Sequence, residues 1–163
     1  MSAPIRIGVV GTGSLGYHHA RILRDVQGVA FRGFFEANAE RAGTVQRELG
    51  VRAYETLDAL LDDVDAVSVV VPTSRHHQVA MAALAKGKHL LIEKPITVTL
   101  GEADELLALA EQKRLHVQIG ARKMQGGREQ TDRNEQRRRG QRAGGVHHRL
   151  PALTRGPGSR WWA

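Results

Sequence analysis

The apolar run Ile5-Arg6-Ile7-Gly8-Val9-Val10 continues directly into Gly11-Thr12-Gly13-Ser14-Leu15-Gly16. The run predicts a β-strand, and the glycine-rich segment predicts a tight turn that opens a helix. Glycines there let an anion approach bare backbone, and the free N–H groups of a helix start favour negative charge. A second apolar run ends at Glu36, twenty positions after Gly16. This arrangement predicts a dinucleotide-binding site; the alternative is a plain glycine turn in another α/β protein.

The size and composition of the chain narrow the protein class. Its 163 residues suffice for one domain with a substantial core. The absence of cysteine excludes disulfides and thiolate metal sites, and it fits a reducing compartment. The N-terminal residues lack a signal-peptide pattern, and no apolar run approaches membrane-spanning length. We therefore expect a cytoplasmic protein without a membrane partner.

Up to residue 120, short strand-like runs alternate with segments of helical spacing, which predicts βαβ units. The predicted strands are Ile5–Val10, Val29–Phe35, Val51–Tyr54, Asp65–Val71, His89–Ile92 and Leu115–Ile119. The predicted helices contain the apolar positions Leu15 to Val26, Ala39 to Leu49, Val79 to Leu84 and Ala103 to Ala110. The expected fold class is α/β, a doubly wound and mainly parallel Rossmann sheet with its ligand at the carboxyl ends of the strands.

Three helix boundaries have recognisable signals. Ser14 or Thr12 is expected to cap the first helix, and Thr99 with Glu102 has the spacing of a capping box. Gly87 follows the Val79–Lys86 segment and fits a left-handed helix stop.

The sequence changes character after Gly120. Residues 121–163 contain 11 Lys and Arg against 3 Asp and Glu, whereas residues 1–120 have a net charge of −1. With only three branched aliphatic residues, this basic tail is predicted to be disordered. Three interpretations stay open: a nucleic-acid-binding arm, a disordered appendage, or out-of-frame translation of a disrupted gene. The last one best explains the Arg- and Gly-rich composition and the sudden loss of periodicity, and it argues against a nucleic-acid partner.

Glu36 predicts the choice of cofactor. A carboxylate at this position accepts hydrogen bonds from both ribose hydroxyls of an adenosine, and its charge repels a 2′-phosphate. NAD is therefore favoured over NADP. Arg41 lies five residues further on and can reduce that repulsion, which keeps NADP open. The alternative for Arg41 is an exposed helix arginine.

The fourth predicted strand ends in Val71-Pro72-Thr73-Ser74-Arg75-His76-His77. Thr73 and Ser74 offer hydroxyls to the phosphates or the nicotinamide ribose, although a Pro-Thr-Ser turn also serves simply to begin a helix. His76 and His77 are adjacent on a helix and point in different directions. No other potential ligand has matching spacing, so no metal site is predicted.

The segment Leu90-Leu91-Ile92-Glu93-Lys94-Pro95 delivers an acid, a base and a proline to the ligand edge of the sheet. With it, the first 120 residues resemble the cofactor domain of the glucose-fructose oxidoreductase / inositol 2-dehydrogenase / rhizopine-catabolism (Gfo/Idh/MocA) family. The resemblance rests on an ordered set of motifs: Gly11 to Gly16, Glu36 with Asn38 and Arg41-Ala42, Pro72-Thr73 with His77, Ala85 to Ile92, and Glu93-Lys94-Pro95.

This resemblance implies an NAD(P)-dependent oxidoreductase that transfers hydride between the cofactor and a sugar, cyclitol or related polyol. It implies that Lys94 contacts substrate and assists proton transfer from the hydroxyl being oxidised. The alternative for Lys94 in isolation is a solvated lysine at a strand end. Glu93 is expected to orient Lys94 or to contact the nicotinamide ribose, and Pro95 is expected to follow a cis peptide bond.

The sequence also departs from the family pattern. Family members continue into a second α/β domain that forms the substrate pocket, supplies an Asp and a His, and largely sets the homo-oligomeric state. Gly144-Gly145-Val146-His147-His148 lacks the aspartate and the spacing of that motif. We therefore expect an NAD(P)-binding domain over residues 1–120, truncated near residue 120, that binds cofactor but turns over poorly. The alternative function is a stand-alone NAD-binding or redox-sensing module with a polyanion-binding tail.

Overall fold

A computed structural model describes residues 3–120, and this part of the chain forms a six-stranded sheet with helices on both faces. The strands are β1 (Ile5–Val10), β2 (Val29–Phe35), β3 (Ala53–Tyr54), β4 (Ala66–Val69), β5 (His89–Ile92) and β6 (Val117–Ile119). The helices are α1 (Ser14–Asp25), α2 (Ala39–Leu49), α3 (Leu57–Asp63), α4 (His76–Ala85) and α5 (Leu100–Lys113), with a 3₁₀ turn at Thr73–Arg75. The predictions for the basic tail lie outside the described residues.

The strand order is β3-β2-β1-β4-β5-β6, and every neighbouring pair is parallel. Val10 at the end of β1 pairs with Phe35 of β2 on one side and with Val69 of β4 on the other. The carboxyl ends of the central strands therefore lie side by side. This topology confirms the predicted doubly wound Rossmann sheet, and it puts the ligand crevice at the switch point between β1 and β4.

The core lies on both faces of the sheet because successive strand residues point to opposite sides. Val9 packs with Ala20 of α1 and with residues of α2, whereas Val10 packs in a second cluster with Leu84 of α4 and Leu106 of α5. All five of these residues are buried. The two clusters hold α1 and α2 against one face of the sheet, and α3, α4 and α5 against the other.

Two strands are shorter than predicted for identifiable reasons. β4 ends at Val69 rather than Val71, because its paired neighbours end at Val10 and Ile92; beyond them, within residues 3–120, only the N–H of Val70 continues the ladder of β4, donating to the carbonyl of Val10. β6 begins at Val117 rather than Leu115, because the N–H of Leu115 still donates to the carbonyl of Ala110 in the last turn of α5. The two-residue β3 is likewise shorter than the predicted Val51–Tyr54.

Helix α3 is absent from the sequence prediction. It has only seven residues, too few to establish a clear apolar period. The sequence nevertheless contains two features of this helix, a threonine at position 56 and the pair Leu60-Leu61. In the structure Thr56 is the N-cap and accepts the N–H of Ala59, and both leucines are buried. The helix extends the core beneath β1 and β2.

Two of the three predicted helix boundaries are confirmed. Thr99 and Glu102 form the capping box of α5, and Gly87 has a left-handed backbone conformation with φ 74°. The expected side-chain cap of α1 is wrong. Gly13 is the N-cap residue and no side chain caps the helix, because the hydroxyl of Thr12 donates to Glu36 instead. Within residues 3–120, no helix is long and apolar enough to cross a membrane.

Candidate functional site

A cleft of about 850 Å³ opens at the carboxyl ends of β1, β2, β4 and β5. It is bordered by the glycine loop after β1, the end of β2, the connection from β4 to α4, and the residues after β5. Nine of the residues proposed from sequence line it: Gly11, Gly13, Ser14, Leu15, Glu36, Pro72, Thr73, Glu93 and Lys94. The other six are not among the residues that line it: Thr12, Gly16, Arg41, Ser74, His77 and Pro95.

The three glycines of the loop have different physical roles. Gly11 has φ 87°, and a Cβ there would lie 2.8 Å from the carbonyl oxygen of Val70. A Cβ on Gly16 would overlap the carbonyl oxygen of Gly11. A Cβ on Gly13, in contrast, would meet no atom within 4 Å. Packing therefore requires glycine at positions 11 and 16, whereas Gly13 leaves open space that a ligand can use.

Glu36 is hydrogen-bonded to the glycine loop. Its Oε2 accepts the backbone N–H of Thr12 at 2.7 Å and the Thr12 hydroxyl at 3.1 Å, and its Oε1 accepts the N–H of Asn38 at 3.0 Å. Partial burial acts to raise the pKa of Glu36, but the N–H donors of Asn38 and Thr12 outweigh it and hold that pKa below its usual range. The carboxylate is therefore ionised and rigidly placed at the edge of the cleft.

Arg41 lies beside the glycine loop. Its Nε donates to the carbonyl oxygen of Thr12 at 2.9 Å, and its guanidinium carbon lies 5.5 Å from the centroid of the Tyr17 ring. Its backbone N–H donates to the side chain of Asn38, the N-cap of α2. These contacts join α2 to the glycine loop. Arg41 therefore helps to hold the loop in place, although it does not itself line the cleft.

The connection from β4 to α4 is anchored by His76. This side chain is 2% exposed, and its Nδ1 and Nε2 each lie 2.9 Å from a carbonyl oxygen, of Pro95 and Val71 respectively. His76 thus joins the end of the fourth strand to the turn after β5. His77 is not brought to the cleft lining: its Nε2 lies 3.1 Å from Oε2 of Glu105 on α5.

The residues after β5 lie across the cleft from the acid after β2. Lys94 is exposed and lines the cleft, and the Lys94–Pro95 peptide bond is cis, as expected. Glu93 also lines the cleft, and its Oε1 lies 3.3 Å from Nε2 of His19 on α1. An acid and a base thus follow one another where β5 ends, within reach of a ligand in the cleft.

Two histidines near the cleft were missed by sequence reasoning as functional candidates. His76 was considered only as half of a metal pair, and His19 was not considered at all. His19 could have been found from its spacing: Gly16, His19 and Ala20 lie at positions i, i+3 and i+4 of α1, on one helix face. Among residues 3–120, no group of three or more His, Asp or Glu side chains could hold a metal ion.

The cleft fits a dinucleotide. The first turn of α1 has N–H groups without a side-chain cap, next to the open space at Gly13, and this is suited to a pyrophosphate. Oε1 of Glu36 has spare acceptor capacity for ribose hydroxyls, since among residues 3–120 only the N–H of Asn38 bonds to it. The uncapped start of α1 and the free acceptor capacity of Glu36 are thus suited to the two ends of an adenosine diphosphate group.

Comparison with known proteins agrees with this geometry. Residues 5–121 match the model of the Gfo/Idh/MocA group, described as an oxidoreductase family with an NAD-binding Rossmann fold. The UDP-N-acetylglucosamine 3-dehydrogenase of Acidithiobacillus ferrooxidans is 47% identical over 116 residues, which cover 71% of this chain and 36% of that enzyme. The inositol 2-dehydrogenase of Leifsonia xyli is 37% identical over 120 residues, covering 71% of this chain and 35% of that enzyme.

A solved structure shows the same likeness in three dimensions. The structure of UDP-N-acetylglucosamine 3-dehydrogenase from Acidithiobacillus ferrooxidans superposes with a TM-score of 0.69 at 45% identity, covering 73% of this chain and 39% of that one. The chain spans about a third of the length of the curated relatives it matches. The match over most of its own length shows that the chain belongs to the Gfo/Idh/MocA oxidoreductase family, through the NAD-binding Rossmann domain of that family.

Proposed function

We propose that this chain binds NAD in the cleft at the carboxyl edge of the sheet and serves a dehydrogenase that acts on a sugar, cyclitol or related polyol. The observation that carries the proposal is the hydrogen bond between Glu36 and Thr12, beside the open backbone of Gly13. The pyrophosphate lies against the start of α1, and the adenosine ribose lies against Glu36. The charge of Glu36 favours NAD over NADP.

The substrate class is proposed from the relatives. Two of them are named for dehydrogenation of a sugar nucleotide and of an inositol. Both compounds carry secondary hydroxyl groups on a ring, and the oxidation of such a group removes a hydride from carbon and a proton from oxygen. In the proposed site, NAD in the cleft accepts the hydride and Lys94 accepts the proton.

Lys94 is proposed as the group that handles the proton. NAD, when bound, supplies the acceptor for the hydride. The Nζ of Lys94, as the free amine, accepts the proton from the substrate hydroxyl and returns it in the reverse direction. Glu93 precedes Lys94 in the same turn and orients the nicotinamide end of the site.

Cofactor binding is tested with the 163-residue chain and one pair of variants. Gly13→Ala adds a methyl group that meets no protein atom but occupies the path of the pyrophosphate. We expect NADH affinity to fall at least about tenfold, or about 1.4 kcal/mol, with the melting temperature close to that of the unchanged chain. Gly101→Ala is the matched control, because a Cβ there also meets nothing within 4 Å and lies on α5. Equal NADH affinity in both variants would contradict the proposed site.

Hydride transfer is tested separately, with the chain in stoichiometric amount over NAD and a panel of inositols, sugars and UDP-sugars. Slow formation of reduced cofactor, followed by its absorbance, is the expected result with one member of the panel, in line with the poor turnover expected from the sequence. Lys94→Met is expected to slow that formation about a hundredfold or more. Cofactor binding without reduced cofactor from any panel member would contradict the dehydrogenase proposal and leave NAD binding standing.

A further inference from the structure

His19 links the buried sheet to the acid that precedes Lys94. Its Nδ1 lies 2.8 Å from Oγ of Ser68, and its Nε2 lies 3.3 Å from Oε1 of Glu93. Ser68 is completely buried on β4, and the side chains of His19 and Glu93 are 18% and 23% exposed. The imidazole therefore spans the distance between an anchored hydroxyl and a carboxylate at the cleft.

The direction of these two contacts follows from the groups involved. A carboxylate oxygen is an acceptor, so the 3.3 Å approach of Nε2 to Oε1 of Glu93 favours the tautomer with its proton on Nε2. With the proton on Nε2, Nδ1 accepts the hydroxyl proton of Ser68. The two contacts together hold the orientation of the His19 ring.

Gly120 confines the same carboxylate from another side. A Cβ at Gly120 would lie 2.6 Å from Oε1 and 2.9 Å from Oε2 of Glu93. The backbone N–H of Gly120 also donates to the carbonyl of Ile92 at 2.7 Å, which holds this glycine next to β5. The Glu93 carboxylate is thus held between the ring of His19 and the bare backbone of Gly120.

Glu93 lies at the end of the cleft away from Glu36. Glu36 and the glycine loop follow β2 and β1, whereas Glu93 and Lys94 follow β5, on the other side of the switch point. A dinucleotide binds across that point, with its pyrophosphate at α1. Because Glu36 takes the adenosine side, the nicotinamide side faces Glu93 and Lys94.

We propose that His19 is a positioning residue that holds the Glu93 carboxylate in place for the nicotinamide half of the cofactor. This inference rests on the proposed function, since it presumes that NAD occupies the cleft. His19 itself does not touch the cofactor and acts through Glu93. Its loss should therefore weaken contacts of the nicotinamide half and spare those of the adenosine half.

Two substitutions of His19 separate its two contacts. His19→Asn places an amide near the position of Nδ1 and retains the contact to Ser68, but it cannot reach Glu93. His19→Gln places an amide near the position of Nε2 and retains the contact to Glu93. Both variants keep a polar side chain of similar size, and His18→Asn on the exposed side of α1 is the matched control.

The measurement is the affinity of the full 163-residue chain for NADH and for ADP, which lacks the nicotinamide half. In His19→Asn the Glu93 carboxylate loses the imidazole 3.3 Å away, so we expect NADH affinity to fall about tenfold with ADP affinity unchanged. In His19→Gln, as in the His18→Asn control, NADH affinity should stay within about threefold of the unchanged chain. Retained NADH affinity in His19→Asn would overturn the inference, and so would an equal loss of NADH and ADP affinity, which indicates a general structural role.

A double-substitution cycle tests whether His19 acts through Glu93. In a Glu93→Ala background, His19→Asn should cause no further loss of NADH affinity, because the group it holds is already gone. Additive losses would overturn the inference. If the unchanged chain binds neither NADH nor ADP, the proposed function is wrong. If it binds NADH with an affinity that His19→Asn does not change, only the role of His19 is wrong.

Discussion

Oε2 of Glu36 lies 2.7 Å from the backbone nitrogen of Thr12, so the acid at the end of β2 is hydrogen-bonded to the loop that follows β1. Two segments that border the cleft are therefore already joined in the protein alone. A carboxylate held in this way loses little conformational freedom when a ligand arrives. This relationship makes the charge of Glu36 a direct target for experiment.

Glu36→Gln should change the discrimination between cofactors. The amide oxygen of glutamine can still accept the N–H of Thr12, but the negative charge that repels a 2′-phosphate is gone. We expect the ratio of NADPH to NADH affinity to rise about tenfold, or about 1.4 kcal/mol, in a titration of both cofactors. Glu111→Gln on α5 is the control and should leave the ratio unchanged. A ratio that Glu36→Gln does not alter would show that this charge does not select the cofactor.

Gly16→Ala should destabilise the fold. A Cβ at this position overlaps the carbonyl oxygen of Gly11, so the loop or α1 has to shift. We expect the free energy of unfolding in urea to fall by about 1–3 kcal/mol, a typical cost of overpacking. Gly101→Ala lies in the first turns of α5 with open space around it, and it should leave stability equal or slightly higher. Equal stability of both variants would contradict the close packing at Gly16.

His76→Phe should also destabilise the protein, for a different reason. The ring of phenylalanine fills the space but leaves the carbonyl oxygens of Val71 and Pro95 without the imidazole. A buried carbonyl oxygen that loses its N–H donor costs about 1–3 kcal/mol, and the turn that presents Lys94 should loosen. Urea unfolding checks the stability, with the exposed His18→Phe as the control. An unfolding free energy within about 0.5 kcal/mol of the unchanged chain would contradict this role.

Asp65 should make stability depend on pH in the acid range. The Arg6 guanidinium, together with its backbone N–H, lowers the pKa of Asp65 from 3.8 to about 2. Because the folded-state pKa of Asp65 is lowered, the ionised carboxylate stabilises the fold fully above about pH 4. This stabilisation is lost as the pH falls towards about 2. Because the carboxylate is 41% exposed, solvent screening limits its value to about 1 kcal/mol or less.

The comparison of the unchanged chain with Asp65→Asn tests this dependence. The difference in unfolding free energy should be present at neutral pH and should disappear near about pH 2. Thermal or urea unfolding at several pH values measures it. If the difference in unfolding free energy between the two proteins grew as the pH fell, the Arg6–Asp65 ion pair would not be its cause.

The parts of the fold that could be predicted are those encoded by local spacing. The bounds of β1, β2 and β5 follow from apolar runs with clear ends, and α2 begins and ends at the predicted residues Ala39 and Leu49. The capping box at Thr99 was equally readable, since it involves residues three positions apart. The cap of α1 was wrong because Thr12 bonds to Glu36, and no local pattern contains that partner.

The sequence by itself determined the strand, glycine turn and helix at the start of the chain, together with the acid after the second strand. Each of these features depends on residue type and on the spacing of residues close together in the sequence, so it does not require contacts between distant parts of the chain. Only the tertiary structure decided that His19 contacts Glu93, that His76 joins Val71 to Pro95, and that His77 lies against α5. Those contacts depend on how the helices pack against the sheet, which places side chains far apart in sequence within hydrogen-bonding distance.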